Sequence, residues 1–80
     1  MSGRWVLGVD IGGTNIVVAA VPAAGGEPAA LLSGDTRPER GPDAAVADIA
    51  VMANRVISET LRNQGGTRQD FVGVGIGSPG

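Results

Sequence analysis

The chain has 80 residues, of which 42% are hydrophobic, 18% are charged and 14 are glycine, a composition typical of one small globular domain. Its six basic residues are all arginine, they are scattered along the chain, and the formal net charge is −2, so no basic surface for nucleic acid is indicated. Cysteine and histidine are absent, which excludes disulfides, thiolate metal sites and a histidine general base. Any chemistry here must use carboxylates, hydroxyls and backbone amides.

The sequence contains no signal of membrane insertion or export. No apolar run reaches the roughly 18 residues that span a bilayer, and no basic segment followed by an apolar one opens the chain. We therefore predict a cytoplasmic protein without a membrane partner.

Three strands are predicted in the first half of the chain. Residues 4–11 (RWVLGVDI) alternate in polarity and size, as in a half-buried strand. One face carries Trp5, Leu7, Val9 and Ile11, and the other carries Val6, Gly8 and Asp10. The run NIVVAAV at residues 15–21 predicts a second strand after a short hairpin, ending before Pro22. The weaker run AALLSGDT at residues 29–36 predicts a third strand at an edge of the sheet.

One long helix is predicted over residues 43–64. Gly41 or Pro42 suits its beginning, and Gly65-Gly66 suits its end, where positive φ angles close helices. Its predicted buried stripe comprises Val46, Ile49, Ala50, Ala53, Val56, Ile57 and Leu61.

A fourth strand is predicted at residues 71–77 (FVGVGIG). Its alternation places Val72, Val74 and Ile76 on one face and Phe71, Gly73, Gly75 and Gly77 on the other. After a helical crossover this strand can lie parallel to an earlier one through a right-handed connection. Because one side of it would lack a partner and the helix covers only one sheet face, we expect further residues to complete the fold.

The stretch GVDIGGTN at residues 8–15 contains an acid inside an apolar strand. Burying an unpaired carboxylate costs at least several kcal/mol, so Asp10 is expected to need a cation, hydrogen-bond donors or water. In one interpretation Asp10 caps its own turn as an Asx residue and Gly12-Gly13 form a primed hairpin turn. In the other, the N–H groups of Gly12, Gly13 and Thr14 converge on an anion.

The two features together favour a nucleotide. A carboxylate about 6 Å from a phosphate charge repels it by roughly 3 kcal/mol at an effective dielectric constant of about 20. A bridging cation removes that repulsion, and Mg²⁺ takes carboxylate, water and phosphate oxygens. The stretch therefore predicts a metal–nucleotide site.

The glycines of the fourth strand lead into Ser78-Pro79-Gly80. A strand face with three glycines favours the close approach of a ligand or of another element. Residues 75–80 also match the dinucleotide fingerprint G-x-G-x-x-G, but that fingerprint normally follows the first strand of its fold, which makes this the weaker alternative.

Together, GVDIGGTN and VGVGIGSPG at residues 72–80 resemble the motifs of the ROK family of repressors and sugar kinases, most closely those of bacterial glucokinases. The resemblance implies an α/β fold of the actin-like ATPase, or ribonuclease H-like, type. Residues 1–80 would form the N-terminal part of the ATPase domain, incomplete by itself. In this fold three antiparallel strands are followed by a helix and by a strand parallel to the first.

The resemblance also implies ATP-dependent phosphorylation of glucose to glucose 6-phosphate, with ATP and Mg²⁺ as cofactors. Asp10 would hold Mg²⁺, and Gly12, Gly13 and Thr14 would bind the terminal phosphates. Asn15 occupies a position where the family has Asn or Lys. The sugar site would be lined by Gly77, Ser78, Pro79 and Gly80.

No catalytic residue is expected within these 80 residues. The family's catalytic base, sugar-gripping residues and structural Zn²⁺ motif would follow Gly80, so the segment alone is expected to be inactive and the longer protein to be a homo-oligomer. A kinase for another hexose, such as N-acetylmannosamine or fructose, is the alternative prediction. A ROK repressor is disfavoured, since only Met1-Ser2-Gly3 precedes the first strand, and a freestanding binding module is disfavoured by the incomplete sheet.

Overall fold

The computed structural model describes residues 3–35 and 41–77. The elements are, in chain order, strands β1 (Trp5–Ile11), β2 (Asn15–Pro22) and β3 (Ala30–Asp35), helix α1 (Pro42–Gln64), a short 3-10 helix (Arg68–Asp70) and strand β4 (Phe71–Gly77). The predicted strands and helix are confirmed to within a residue or two at their ends. The 3-10 helix was not predicted; at its start the Asp70 carboxylate accepts a hydrogen bond from the Thr67 N–H at 3.0 Å.

The four strands form one mixed sheet in the order β3-β2-β1-β4. Neighbouring pairs β1–β2 and β2–β3 are antiparallel, whereas β1 and β4 are parallel. The long crossover through α1 is what permits the parallel pairing, because strands joined by a tight turn can only be antiparallel. The structure is thus an α/β domain, with β3 at one edge of the sheet as predicted and β4 at the other.

The hydrophobic core lies between one face of the sheet and α1. Its buried members are Leu7, Val9, Ile16, Val18, Ala20 and Val56. This arrangement confirms the alternation predicted for β1, whose Trp5 is also buried and whose Ile11 packs against the cluster. The opposite face of the sheet, which carries Asp10, is hereafter the open face.

The helix begins and ends as predicted, but its buried stripe is shifted. Gly41 and Gly65 flank α1 with φ angles of +86° and +81°, and the Gly65 N–H donates to the Leu61 carbonyl at 2.9 Å. The prediction that Val46 and Ala50 are buried was wrong: both are exposed. Because α1 packs against β2 and β3, its inward residues are Ile49, Met52, Ala53, Val56, Ile57 and Thr60.

The buried hydroxyl of Thr60 was missed because a polar residue interrupts the apolar stripe. Thr60 is completely inaccessible to solvent. Its Oγ1 donates to the carbonyl of Val56, one turn earlier, at 2.8 Å. This bond satisfies the hydroxyl inside the helix and lets threonine take a core position.

Strand β4 departs from simple alternation at its first residues. Phe71 lies opposite Trp5, but the next pair is Gly73 opposite Val6, so Val72 falls at an irregularity in the ladder. As a result Phe71 packs against the core instead of sharing the face of the glycines, which corrects the prediction. Because α1 lies over the other half of the sheet, Val74 and Ile76 remain 64% and 70% exposed.

No helix in residues 3–35 and 41–77 combines the length and the apolar character needed to cross a membrane.

Candidate functional site

The parallel pairing of β1 and β4 brings the two motifs to the same edge of the sheet. Asp10, near the end of β1, lies directly opposite Gly77, the last residue of β4. The hairpin of residues 12–14 follows β1 at this edge. The carboxyl ends of parallel strands, where ligands commonly bind in open α/β sheets, therefore carry both stretches that the sequence singled out.

Asp10 is a solvent-exposed carboxylate. It is the last residue of β1 to face the open side, and it is not buried, so water can solvate it and no burial penalty demands a cation. Within the described residues the carboxylate accepts no hydrogen bond from the hairpin, which argues against the Asx-capping interpretation. Asp10 would need a neighbouring cation only when an anion binds beside its carboxylate, because the two negative charges would then repel each other.

The hairpin uses its two glycines differently. The Gly12 N–H donates to the Asn15 carbonyl at 2.8 Å, and a Cβ at Gly12 would lie 3.3 Å from that same oxygen. A Cβ at Gly13 would have no atom within 4 Å. Close approach of the backbone therefore explains glycine at position 12, whereas packing among the described residues does not explain it at position 13.

The turn is not of the primed type that Gly12-Gly13 was predicted to form. Primed turns require positive φ angles at one or both central residues, but neither glycine nor Thr14 has one. Positive φ angles belong instead to glycines elsewhere in the chain, at residues 25, 26, 41, 65 and 66. The conformational freedom of glycine is thus not what this hairpin uses.

The donors for an anion at the hairpin are those of Gly13 and Thr14. Both residues are exposed, and neither makes a hydrogen bond within the part of the chain that the structure describes. The two N–H groups and the Thr14 hydroxyl can donate to an oxyanion. The Gly12 N–H already donates to the Asn15 carbonyl. In this conformation only Gly13 and Thr14, of the three predicted phosphate-binding residues, have N–H groups that can donate to a ligand.

A second carboxylate that sequence reasoning missed lies on the same open face. Asp35 ends β3 and is paired with Asn15 of β2; both side chains are exposed. Strand β3 is two strands away from β1, about 10 Å at ordinary strand spacing. Only the order of strands in the sheet could have revealed this neighbour, because Asp35 belongs to no motif in the sequence.

The glycines of β4 form a bare strip beside Asp10. A Cβ at Gly73, Gly75 or Gly77 would meet no atom within 4 Å, and none of the three has a positive φ. In register they lie opposite Val6, Gly8 and Asp10. Nothing within the described residues packs closely on this strip, so its glycines are not explained by internal packing. Ser78, Pro79 and Gly80, predicted to continue it toward a sugar, lie outside the described residues.

The residues present fit a Mg²⁺ ion that is shared with a nucleotide. Among residues 3–35 and 41–77 there is no group of three or more acidic, histidine or cysteine side chains that could enclose a metal. Mg²⁺ needs no such cage, because it is commonly bound by one or two carboxylates, by water and by the phosphates of its substrate. Asp10 can supply the carboxylate.

Comparison of the chain with models of protein families and with curated proteins gave no match.

Proposed function

We propose that this chain forms the nucleotide-phosphate half of an ATP-dependent sugar kinase of the ROK family, with glucose as the substrate of the complete cytoplasmic protein. The observation that carries the proposal is the pairing of Asp10 with Gly77. It places the acid, the hairpin and the glycine strip side by side at the carboxyl edge of the sheet. In the proposed actin-like architecture, this edge is one wall of the cleft between ATP and sugar.

The hairpin would bind the terminal phosphates of ATP. Gly13 and Thr14 are exposed at its tip, and their N–H groups and the Thr14 hydroxyl would donate to phosphate oxygens. The absence of a Cβ at Gly13, where one would point into open space, lets the ligand reach the backbone. Asn15, exposed at the start of β2, lies beside these donors and would border the phosphates.

Asp10 would hold Mg²⁺, directly or through water. Mg²⁺, when bound, neutralises the charge that develops on the phosphoryl oxygens during transfer. The contribution of this chain is to orient the phosphates and to keep a carboxylate beside them, since positioning and charge neutralisation account for most of phosphoryl-transfer catalysis. We assign no catalytic base to residues 1–80.

The test of the proposed function is ADP release by the complete, purified protein with ATP and a panel of sugars. We expect glucose to give the highest kcat/KM, and N-acetylmannosamine and fructose to give lower values. Release of ADP only with another hexose would support the assignment as a sugar kinase but would show that its substrate is not glucose. If no sugar accelerated ADP release above the rate without sugar, the assignment would be refuted.

A further inference from the structure

A groove with a volume of about 700 Å³ lies between β3 and the C-terminal half of α1. Its strand wall consists of residues 29–32, and its helix wall includes Asn54, Arg55, Ser58 and Arg62. Residues 29–32 lie at the end of β3 away from Asp35 and from the hairpin. The groove is therefore separate from the proposed nucleotide site.

The strand wall is an edge that can accept another strand. β3 is the outermost strand on its side of the sheet and pairs only with β2 among the described residues. Its outward backbone groups therefore have no ladder partner. Residues 29–32 contain no charge and no proline, the two features that commonly protect sheet edges from further pairing, and Leu31 is 59% exposed.

The helix wall carries cationic donors. One flank of α1 carries Arg55, Ser58 and Arg62, because their spacing along the helix places them on the same side. The Glu59 carboxylate contacts the Arg62 guanidinium at 3.4 Å and accepts a hydrogen bond from the Asn63 side chain at 3.4 Å. Arg55 makes no ion pair or hydrogen bond among the described residues, so its guanidinium is available to a carboxylate in the groove.

We propose that this groove binds an extended acidic segment of a partner protein, which adds to β3 as a further strand and places a carboxylate against Arg55. Strand addition uses the unpaired backbone of β3, and alternate side chains of the added strand would face α1. The charge complementarity lies at Arg55: Glu59 contacts Arg62, which leaves the Arg55 guanidinium as the uncompensated positive charge in the groove. A compact phosphate could contact Arg55 but could not use the strand edge, which favours a peptide.

The proposal can be tested with a fluorescein-labelled peptide of alternating threonine and glutamate, eight residues long, by fluorescence anisotropy with the complete protein. A second peptide carries the same charges but has every second amide N-methylated, which blocks ladder hydrogen bonds. A third has glutamine in place of glutamate. We expect the first peptide to bind at least tenfold more tightly than either control, and the amide NMR signals of residues 30–32 to shift on binding.

The matched variants are Arg55→Gln and Arg4→Gln, both at exposed positions, with only Arg55 in the groove. Loss of one charge-assisted hydrogen bond is expected to weaken peptide binding about tenfold in Arg55→Gln, whereas Arg4→Gln should stay within about twofold. Asp10→Asn should not change this affinity, because the groove is independent of the nucleotide site. Circular dichroism of each variant verifies that the fold is intact.

Four results would overturn the proposal. One is equal binding of the N-methylated peptide, which would exclude strand addition. A second is equal weakening by Arg4→Gln, which would mean unspecific attraction. A third is displacement of the peptide by equimolar inorganic triphosphate, which would assign the groove to phosphate. The last is sedimentation of the peptide-free chain as a dimer that is lost in Arg55→Gln, which would assign the groove to a second copy.

Discussion

At the level of single residues, the hairpin contains one glycine that the fold requires, Gly12, and one that it does not require, Gly13. Gly12 lies against the Asn15 carbonyl, to which its N–H donates, so a side chain there would crowd the turn. Gly13 faces open space. Packing within the protein does not explain why residue 13 is glycine. The absence of a side chain there is consistent with a ligand that approaches the backbone of this turn from solvent.

Gly13→Val should abolish ATP binding while leaving the fold intact, because the new side chain would occupy the phosphate approach without touching the protein. Isothermal calorimetry of the complete protein measures the affinity, and circular dichroism measures the fold. The matched control is Gly12→Ala, which should lower the stability by about 1 kcal/mol through crowding of the backbone. Unchanged ATP affinity in Gly13→Val would contradict the phosphate role of the hairpin.

Asp10→Ala should lower kcat of the complete protein by about a hundredfold or more, because it removes the proposed Mg²⁺ carboxylate. The KM for the sugar should change little, since Asp10 belongs to the phosphate half of the site. Asp35→Ala is the control, as it removes a carboxylate from the same exposed face two strands away. Steady-state kinetics that are normal in Asp10→Ala, or equally impaired in both variants, would refute the metal role.

At the scale of elements, the position of α1 decides which of its valines stabilise the fold. The helix lies over β2 and β3, so Val56 is 2% exposed whereas Val46 is 67% exposed. Both were expected inside from their spacing. Periodicity predicts that a helix has an apolar face, but the neighbours of the helix determine which part of a wide apolar surface is covered.

Val56→Ala should destabilise the protein by about 2 kcal/mol, through lost apolar burial and the cavity left behind. Val46→Ala, the same substitution on the same helix, should change stability by no more than about 0.5 kcal/mol. Urea denaturation followed by circular dichroism gives both values. Equal effects of the two substitutions would mean that α1 packs with a different face inward.

At the largest scale, strand β4 at the edge of the sheet carries three of the exposed large apolar side chains of the described residues. Val72, Val74 and Ile76 are more than half exposed, and β4 is an outer strand without charge or proline. Long uncharged edges promote edge-to-edge association. The sheet is thus well covered on the α1 side of β2 and β3 and poorly covered at β4.

Val74→Lys should therefore reduce self-association of the 80-residue chain, because a charge on an edge strand opposes pairing with another strand. Dynamic light scattering against protein concentration measures the effect. Val46→Lys adds the same charge at an exposed helical valine and should have a smaller influence. If both variants associated like the unchanged chain, the β4 edge would not be the contact surface.

Local periodicity, glycines and prolines were enough to predict which segments form strands and helix, because these elements depend on residues close together in the chain. The sequence also identified Asp10, the hairpin and the glycine strip as the residues to examine. The exposure of Asp10, the hydrogen bond of the Gly12 N–H and the packing of Phe71 against the core could not be read from the sequence and required the folded chain. The same holds for the position of Asp10 opposite Gly77. These facts depend on strand register and on where α1 packs, which arise from contacts between residues far apart in the chain.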